Sequence, residues 1–389
     1  MSASNGRPVR PPFKGETIRV GVVGTGFGAL VHVPALAAVP DVEVVALCGI
    51  EPDRLRQAAR EHDIPHIFDD FVEMLDSGEV DAVTLAVPPD LHHAMAVAAC
   101  EAGVHVLSEK PLATNAAEAR DLEHLVRDSG ICHGVAFHRR YEPARKRMKE
   151  LVAQGFIGDL HSVSVIVYRS TLRAGKRRSD SWTSNQERGG GVLSTIASHY
   201  VDQLRWWFGD IHAATGLTYT AVHAPSTSGY GDAPAVDADD NASFVVRFAT
   251  GAIGSISISY TAATDVGEEI VVSGADGMLA IQEPDQIVGA RPGDSVRSVM
   301  KRDTPRLPPG QRIIEPFRQL ATDWARSIRT GAAFTPSFED GARVQEVLDA
   351  VTQSQRLRRW VDLSGENGRS DPALGRSTVA ERSKRRNEL

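Results

Sequence analysis

Three cysteines in 389 residues, Cys48, Cys100 and Cys132, are too few and too scattered for a disulfide framework or a zinc site. No C-x-x-C occurs, so reduced thiols in a cytoplasmic protein are the expectation. The chain also lacks an apolar run long enough to cross a bilayer, and its first residues lack the apolar stretch of a secretory signal. An excess of basic residues is missing too. The formal net charge of -7 argues against nucleic acid or an anionic membrane as the main partner, because both reward a basic surface. The one basic cluster, Arg173, Lys176, Arg177 and Arg178, reads as a solvated loop. Residues 1–16 and 364–389 are polar, or rich in Gly, Pro and charge, and read as flexible tails.

The remainder has an ordinary globular composition, 42% hydrophobic and 24% charged, at a length that suits two domains. In residues 17–137, short apolar runs alternate with helical patterns, as in a parallel α/β sheet buried on both faces. Strands are predicted at Ile18–Val23, Val42–Leu47, Ala82–Val87, Val104–Ser108 and Ile131–Phe137. Helices are predicted at Ala29–Ala38, Leu55–Glu61, Leu91–Ala102 and Ala116–Asp128.

The pattern changes in residues 138–363. His161–Tyr168, Ala242–Phe248, Ala252–Tyr260 and Glu268–Ser273 read as strands, the last three without helices between them, which favours an antiparallel sheet. Helices are expected at Pro143–Gln154, Leu193–Trp207, Pro316–Arg329 and Phe338–Leu357. Ala224–Asp239 and Glu283–Gln311 read as long loops. The fold class is therefore α/β: an N-terminal parallel α/β domain at 17–137, then an α+β domain at 138–363 with an open, mainly antiparallel sheet.

Gly24-Thr25-Gly26-Phe27-Gly28-Ala29 fits G-x-G-x-x-G/A between a predicted strand and a predicted helix. Glycines there permit a tight turn and close approach of the backbone to a pyrophosphate at the helix N-terminus. The acid that normally grips the ribose of NAD is displaced: Gly49 stands where it is expected, and Glu51 is two residues late. Arg54 is placed to meet a 2′-phosphate, so the cofactor is NAD or NADP, with NADP slightly favoured. Glu109-Lys110-Pro111 closes another short strand and sets a lysine where an open α/β sheet holds its ligand.

These segments resemble the Gfo/Idh/MocA oxidoreductase family. The likeness rests on Gly24–Ala29, on Val87-Pro88-Pro89-Asp90-Leu91-His92 and on Glu109-Lys110-Pro111. Further along it rests on Gly189-Gly190-Gly191-Val192-Leu193 leading into His199-Tyr200-Val201-Asp202, then on Asp240, Gly251 and Phe338-Glu339-Asp340-Gly341. It covers roughly residues 17–362. The resemblance implies a Rossmann domain followed by an open-faced α+β domain, with substrate between them. It also implies an active-site Lys110, a cis Lys110–Pro111 bond, and Pro88, His92, Glu109 and Pro111 beside the cofactor.

His199 is the second catalytic expectation, because an imidazole titrates near neutrality and suits a general base. On a helix, Thr195, His199 and Asp202 share a face. The chain departs from the family pattern at Thr195, where many members carry an aspartate, and a threonine hydroxyl is no carboxylate base. Arg139, Arg140, Tyr141 and Trp182, with Thr195 and Asp202, are expected to line the substrate cleft. No metal is expected: His92 and His93 point about 100° apart on a helix, and Pro65 interrupts His62 and His66.

The leading functional expectation is NAD(P)-dependent oxidation of a secondary alcohol, or reduction of the ketone, on a sugar, polyol or related small molecule. Lys110 and His199 would handle the proton. Two alternatives stay open: a redox-neutral lyase or glycosidase with tightly bound NAD, and a non-catalytic NAD(P)-sensing regulator. A homodimer or homotetramer is expected if the strand carrying Val163, Val165 and Val167 leaves an apolar face uncovered.

Overall fold

A computed structural model describes residues 13, 15–172, 181–222, 236–283, 286–300, 308 and 310–363. The Arg173–Arg178 cluster, most of the Ala224–Asp239 segment and residues 364–389 lie outside the described residues.

The N-terminal half is one parallel sheet. Its strands are β1 (Ile18–Val23), β2 (Val42–Cys48), β3 (His66–Phe68), β4 (Ala82–Leu85), β5 (His105–Ser108) and β6 (His133–Val135). Their spatial order, β3-β2-β1-β4-β5-β6, is the doubly wound dinucleotide-binding order. The chain winds outward one way from β1 and the other way from β4, so a crevice opens at the carboxyl ends of these two strands. The connecting helices are α1 (Val33–Ala37), α2 (Pro52–Glu61), α3 (Phe71–Asp76), α4 (Pro89–Glu101) and α5 (Ala116–Val126). The apolar strand runs are buried on both faces, β4 at every position.

β3, α3 and the first turn of the helix at Ala29 depart from what the sequence led us to expect. β3 is three residues long and largely exposed, so it carries no apolar run to announce it. The helix expected from Ala29 begins instead as one wide π-turn, Gly28–His32, before α1.

The C-terminal half opens with α6 (Pro143–Ala153) and builds a nine-stranded sheet. Its strands are β7 (Leu160–Tyr168), β8 (Ile211–Tyr219), β9 (Asn241–Phe248), β10 (Ile253–Ser259), β11 (Gly267–Gly274), β12 (Met278–Glu283), β13 (Gln286–Ala290), β14 (Arg297–Ser298) and β15 (Val361–Asp362). Among the described residues only β7 and β10 pair in parallel; every other ladder of this sheet is antiparallel. β13 and β14 lie inside the segment Glu283–Gln311, which was expected to be loop.

Helices α7 (Ser198–Phe208), α8 (Gln311–Thr330) and α9 (Phe338–Leu357) complete the chain. α9 starts with a reciprocal capping box between Ser337 and Asp340 and packs under β8. α8 leaves its own half of the sequence. Its Phe317, Leu320, Ala321, Trp324 and Ile328, spaced for one helix face, bury against Ile18, Val20, Val22 and Leu36 of the first domain. The helix also runs through Pro316, starting more than one turn earlier than the proline suggested. Near the N-terminal tail, Phe13 packs on this same cluster, and Arg329 donates to the Glu16 carbonyl.

The large sheet alternates inward and outward. Val163, Val165 and Val167 of β7 point into the core with Ile256, Ile258, Ile270 and Val272, so they are not the apolar face expected to meet another subunit. Ser162, Ser164, Ser255 and Ser257 occupy the other face, with Ile166, Tyr168, Ile253, Leu217 and Tyr219 at least partly open. No helix among the described residues is long and apolar enough to cross a membrane.

Candidate active site

A cleft of about 1110 Å³ runs from the ends of β1 and β2, past β4 and β5, to the first turns of α7. Its first wall is the glycine turn. Gly24 has φ of +112°, and a Cβ there would lie 2.2 Å from the Ala86 carbonyl oxygen, so only glycine closes this turn. Above Gly26 there is nothing within 4 Å, leaving its backbone open to a ligand. Gly28 serves packing instead. A Cβ there would stand 3.0 Å from the Val22 side chain, so this glycine lets the following turn pack on β1. This division of labour is what a bound pyrophosphate requires.

Gly24, Gly26, Phe27, Glu51, Arg54, Pro88, Glu109 and Lys110 all line the cleft; Gly28 and Ala29 lie behind it. Glu51 and Arg54 hold each other at 2.8 Å at its exposed end. His92, expected beside the cofactor, is fully buried instead. Its ring nitrogens stand 2.9 Å from the carbonyl oxygens of Val87 and Pro111, so it ties the β4 loop to the β5 loop. Pro111 likewise lies behind the cleft, and the Lys110–Pro111 peptide is cis.

Glu109 and Lys110 emerge together from β5. Burial acts to raise the Glu109 carboxyl, but the hydrogen bond and charge of His32, with Lys110 and His138, hold it down to about 2. His32 meets it at 3.2 Å, and the Lys110 amide donates to its other oxygen at 3.1 Å. Lys110 Nζ donates to the Thr195 carbonyl oxygen at 2.9 Å, linking the two halves of the molecule across the cleft. Burial lowers the lysine's affinity for its proton; Glu109 opposes this and Arg139 adds to it.

Thr195 belongs to a π-turn, Leu193–Ala197, that precedes α7 within the single helix expected here. Such turns recur at functional sites. Its hydroxyl donates to the Gly191 carbonyl at 2.6 Å, so that proton is held by the chain itself. His199, on the next turn, also lines the cleft. Burial, then the charges of Lys110 and Arg139, push its imidazole well below the usual histidine range. It is therefore neutral at physiological pH. Nδ1 of His199 is buried without a hydrogen-bond partner among the described residues. Trp182 lines the cleft on the same side.

Arg140, Tyr141 and Asp202 do not face the cleft as expected. Arg140 forks onto Asp202, with Nε 2.9 Å from Oδ2, and reaches Asp340 at 3.0 Å. Arg140 and Asp202 are both buried, so Asp202 neither lines the cleft nor bonds to His199; it neutralises a guanidinium. The Tyr141 hydroxyl donates to Asp323 of α8 at 3.0 Å.

Arg139, expected at the cleft beside Arg140, does enter it and donates to Tyr200 at 2.9 Å and Glu268 at 3.1 Å. Sequence reasoning missed other lining residues, Glu268 among them. Glu268 also binds Arg145, and these cations with the Tyr200 hydroxyl overcome burial to hold its carboxyl down to about 2. An acid opening a valine-rich strand was the available signal. Asp69 and Asp70, after β3, line the opposite end.

Comparison with known proteins agrees with this architecture. A model described as an oxidoreductase family with an NAD-binding Rossmann fold matches residues 18–137. A second, the oxidoreductase family's C-terminal alpha/beta domain, matches residues 149–363. An uncharacterised oxidoreductase of Synechocystis is 30% identical over 90% of this chain and 96% of its own length. Levoglucosan dehydrogenase of Pseudarthrobacter phenanthrenivorans is 28% identical over 90% of this chain and 98% of its own. A solved structure of levoglucosan dehydrogenase with NADH and levoglucosan superimposes with a TM-score of 0.82 at 27% identity, covering 90% of this chain and 100% of that one. The chain belongs to the Gfo/Idh/MocA oxidoreductase family and is an NAD(P)-dependent oxidoreductase.

Proposed function

We propose that the protein oxidises a secondary alcohol of a sugar, polyol or related small molecule, or reduces the corresponding ketone. The observation that carries this reading is the convergence of Lys110 and His199 on one cleft whose other end is the glycine cradle. The named activity of the levoglucosan relative supports a carbohydrate-like substrate.

When bound, the nicotinamide dinucleotide takes or gives the hydride. The chain's own groups manage the oxygen and its proton. In the oxidative direction, the neutral His199 imidazole accepts the hydroxyl proton while the Lys110 ammonium donates a hydrogen bond to the same oxygen. In reduction the proton returns to the new alkoxide. Arg139, paired with Glu268, shapes the wall and adds its charge to the field that keeps His199 unprotonated. Trp182 offers an aromatic face to an apolar ring surface.

The test is turnover with NAD(H) and NADP(H) against sugars, polyols and their keto derivatives, followed by nicotinamide absorbance. A stoichiometric absorbance change supports the reading. Substrate conversion with no net absorbance change replaces it with redox-neutral chemistry. The partly open sheet face also supports a homodimer or homotetramer, which light scattering at micromolar concentration checks.

A further inference from the structure

The end of the cleft where an adenosine ribose would lie lacks the acid usual after the second strand. A side chain there would have to push Thr25 aside: a Cβ on Gly49 would lie 2.7 Å from the Thr25 methyl group, within the glycine turn itself.

The chain brings acids to this place by another route. The Gly49 amide donates to the Phe68 carbonyl at 3.0 Å, which sets the residue after β3, Asp69, beside the end of β2. Both Asp69 and Asp70 line the cleft there. Asp70 already has a partner, because its carboxylate caps α3 by accepting from the Glu73 amide at 2.9 Å. Asp69 is exposed and makes no such bond among the described residues. Glu51, the late acid, accepts from Arg54 at 2.8 Å. Arg54, the arginine that follows β2, is thus already paired, and it stands with three carboxylates along this end of the cleft.

We propose that Asp69, delivered by β3, replaces the missing acid after β2 as the acceptor for the ribose hydroxyls, and that it selects NAD(H) over NADP(H). This rests on the dinucleotide reading above and reverses the preference that Arg54 alone implied. A 2′-phosphate would meet Glu51, Asp69 and Asp70 against Arg54, whereas a 2′-hydroxyl donates to a carboxylate.

The experiment is equilibrium titration of the full chain with NADH and with NADPH, read by nicotinamide fluorescence and needing no substrate. Wild type is expected to bind NADH at least about tenfold more tightly, the scale of one charge-assisted hydrogen bond. Asp69→Asn and Asp69→Ala should weaken NADH several-fold and leave NADPH unchanged or tighter. Equal or tighter NADPH binding by wild type overturns the assignment. So does a ratio that Asp69→Asn leaves within about twofold of wild type. Binding of neither dinucleotide would instead remove the cofactor reading itself and the assignment with it, a result distinct from binding without preference.

Discussion

Lys110 Nζ lies 2.9 Å from the main-chain oxygen of Thr195, so the ammonium from the first domain is held by a carbonyl of the second. A carbonyl fixes the position of the charge without neutralising it, and a substrate oxygen can share the remaining N–H groups. Lys110→Met keeps the length of the side chain and removes the donor. It is expected to lower kcat/KM by about 10²–10⁴ while NADH binding changes less than about threefold. Turnover within about fivefold of wild type would remove Lys110 from the chemistry.

His199 gives a pH signature. Burial and the neighbouring Lys110 and Arg139 depress its pKa well below 6.5, so the basic imidazole persists into mildly acid solution. For alcohol oxidation, kcat/KM should stay level as pH falls to about 6.5 and decline only below it. His199→Asn should reduce the rate about 10²-fold or more and abolish that limb. A wild-type limb centred above about pH 6.5 would show that the imidazole is not desolvated as described.

Thr195 occupies the place where many family members have an aspartate, and its hydroxyl is turned to Gly191 rather than to a reaction. Thr195→Val preserves shape and leaves the Lys110 contact intact, since that contact uses the main chain. The expected result is kcat/KM within about threefold of wild type and a stability loss of about 1 kcal/mol, the worth of one hydrogen bond. A hundredfold fall in kcat/KM would make the hydroxyl a participant.

What could be read in advance divides along physical lines. The glycine turn and Glu109-Lys110-Pro111 were legible because each is a contiguous piece at a strand end, where backbone geometry fixes residue type. Arg140 and Asp202 were misjudged because they are 62 positions apart and charged, and only burial reveals that they satisfy each other. Asp69 escaped because β3 is short and exposed, with no apolar run to mark it. α8 was visible as a helix, but amphipathicity does not say which sheet it covers. Its phenylalanine and tryptophan close the first domain from the far end of the chain.

Glu268 supplies the last prediction, about stability. It is almost wholly buried and answers two guanidinium groups, Arg139 and Arg145. Glu268→Gln keeps the volume but leaves Arg139 and Arg145 with Glu142 as their one remaining carboxylate, at a cost of about 3 kcal/mol by urea denaturation at neutral pH. The sign of the pH dependence follows from its carboxyl, held down to about 2 against an ordinary 4.5. Its contribution is complete above 4.5 and disappears as pH falls through 4.5 toward about 2, because the unfolded chain binds the proton first. The gap between wild type and variant should therefore narrow between about pH 7 and about pH 3. A gap of equal size at both pH values would mean that shape, not charge, is what Glu268 contributes.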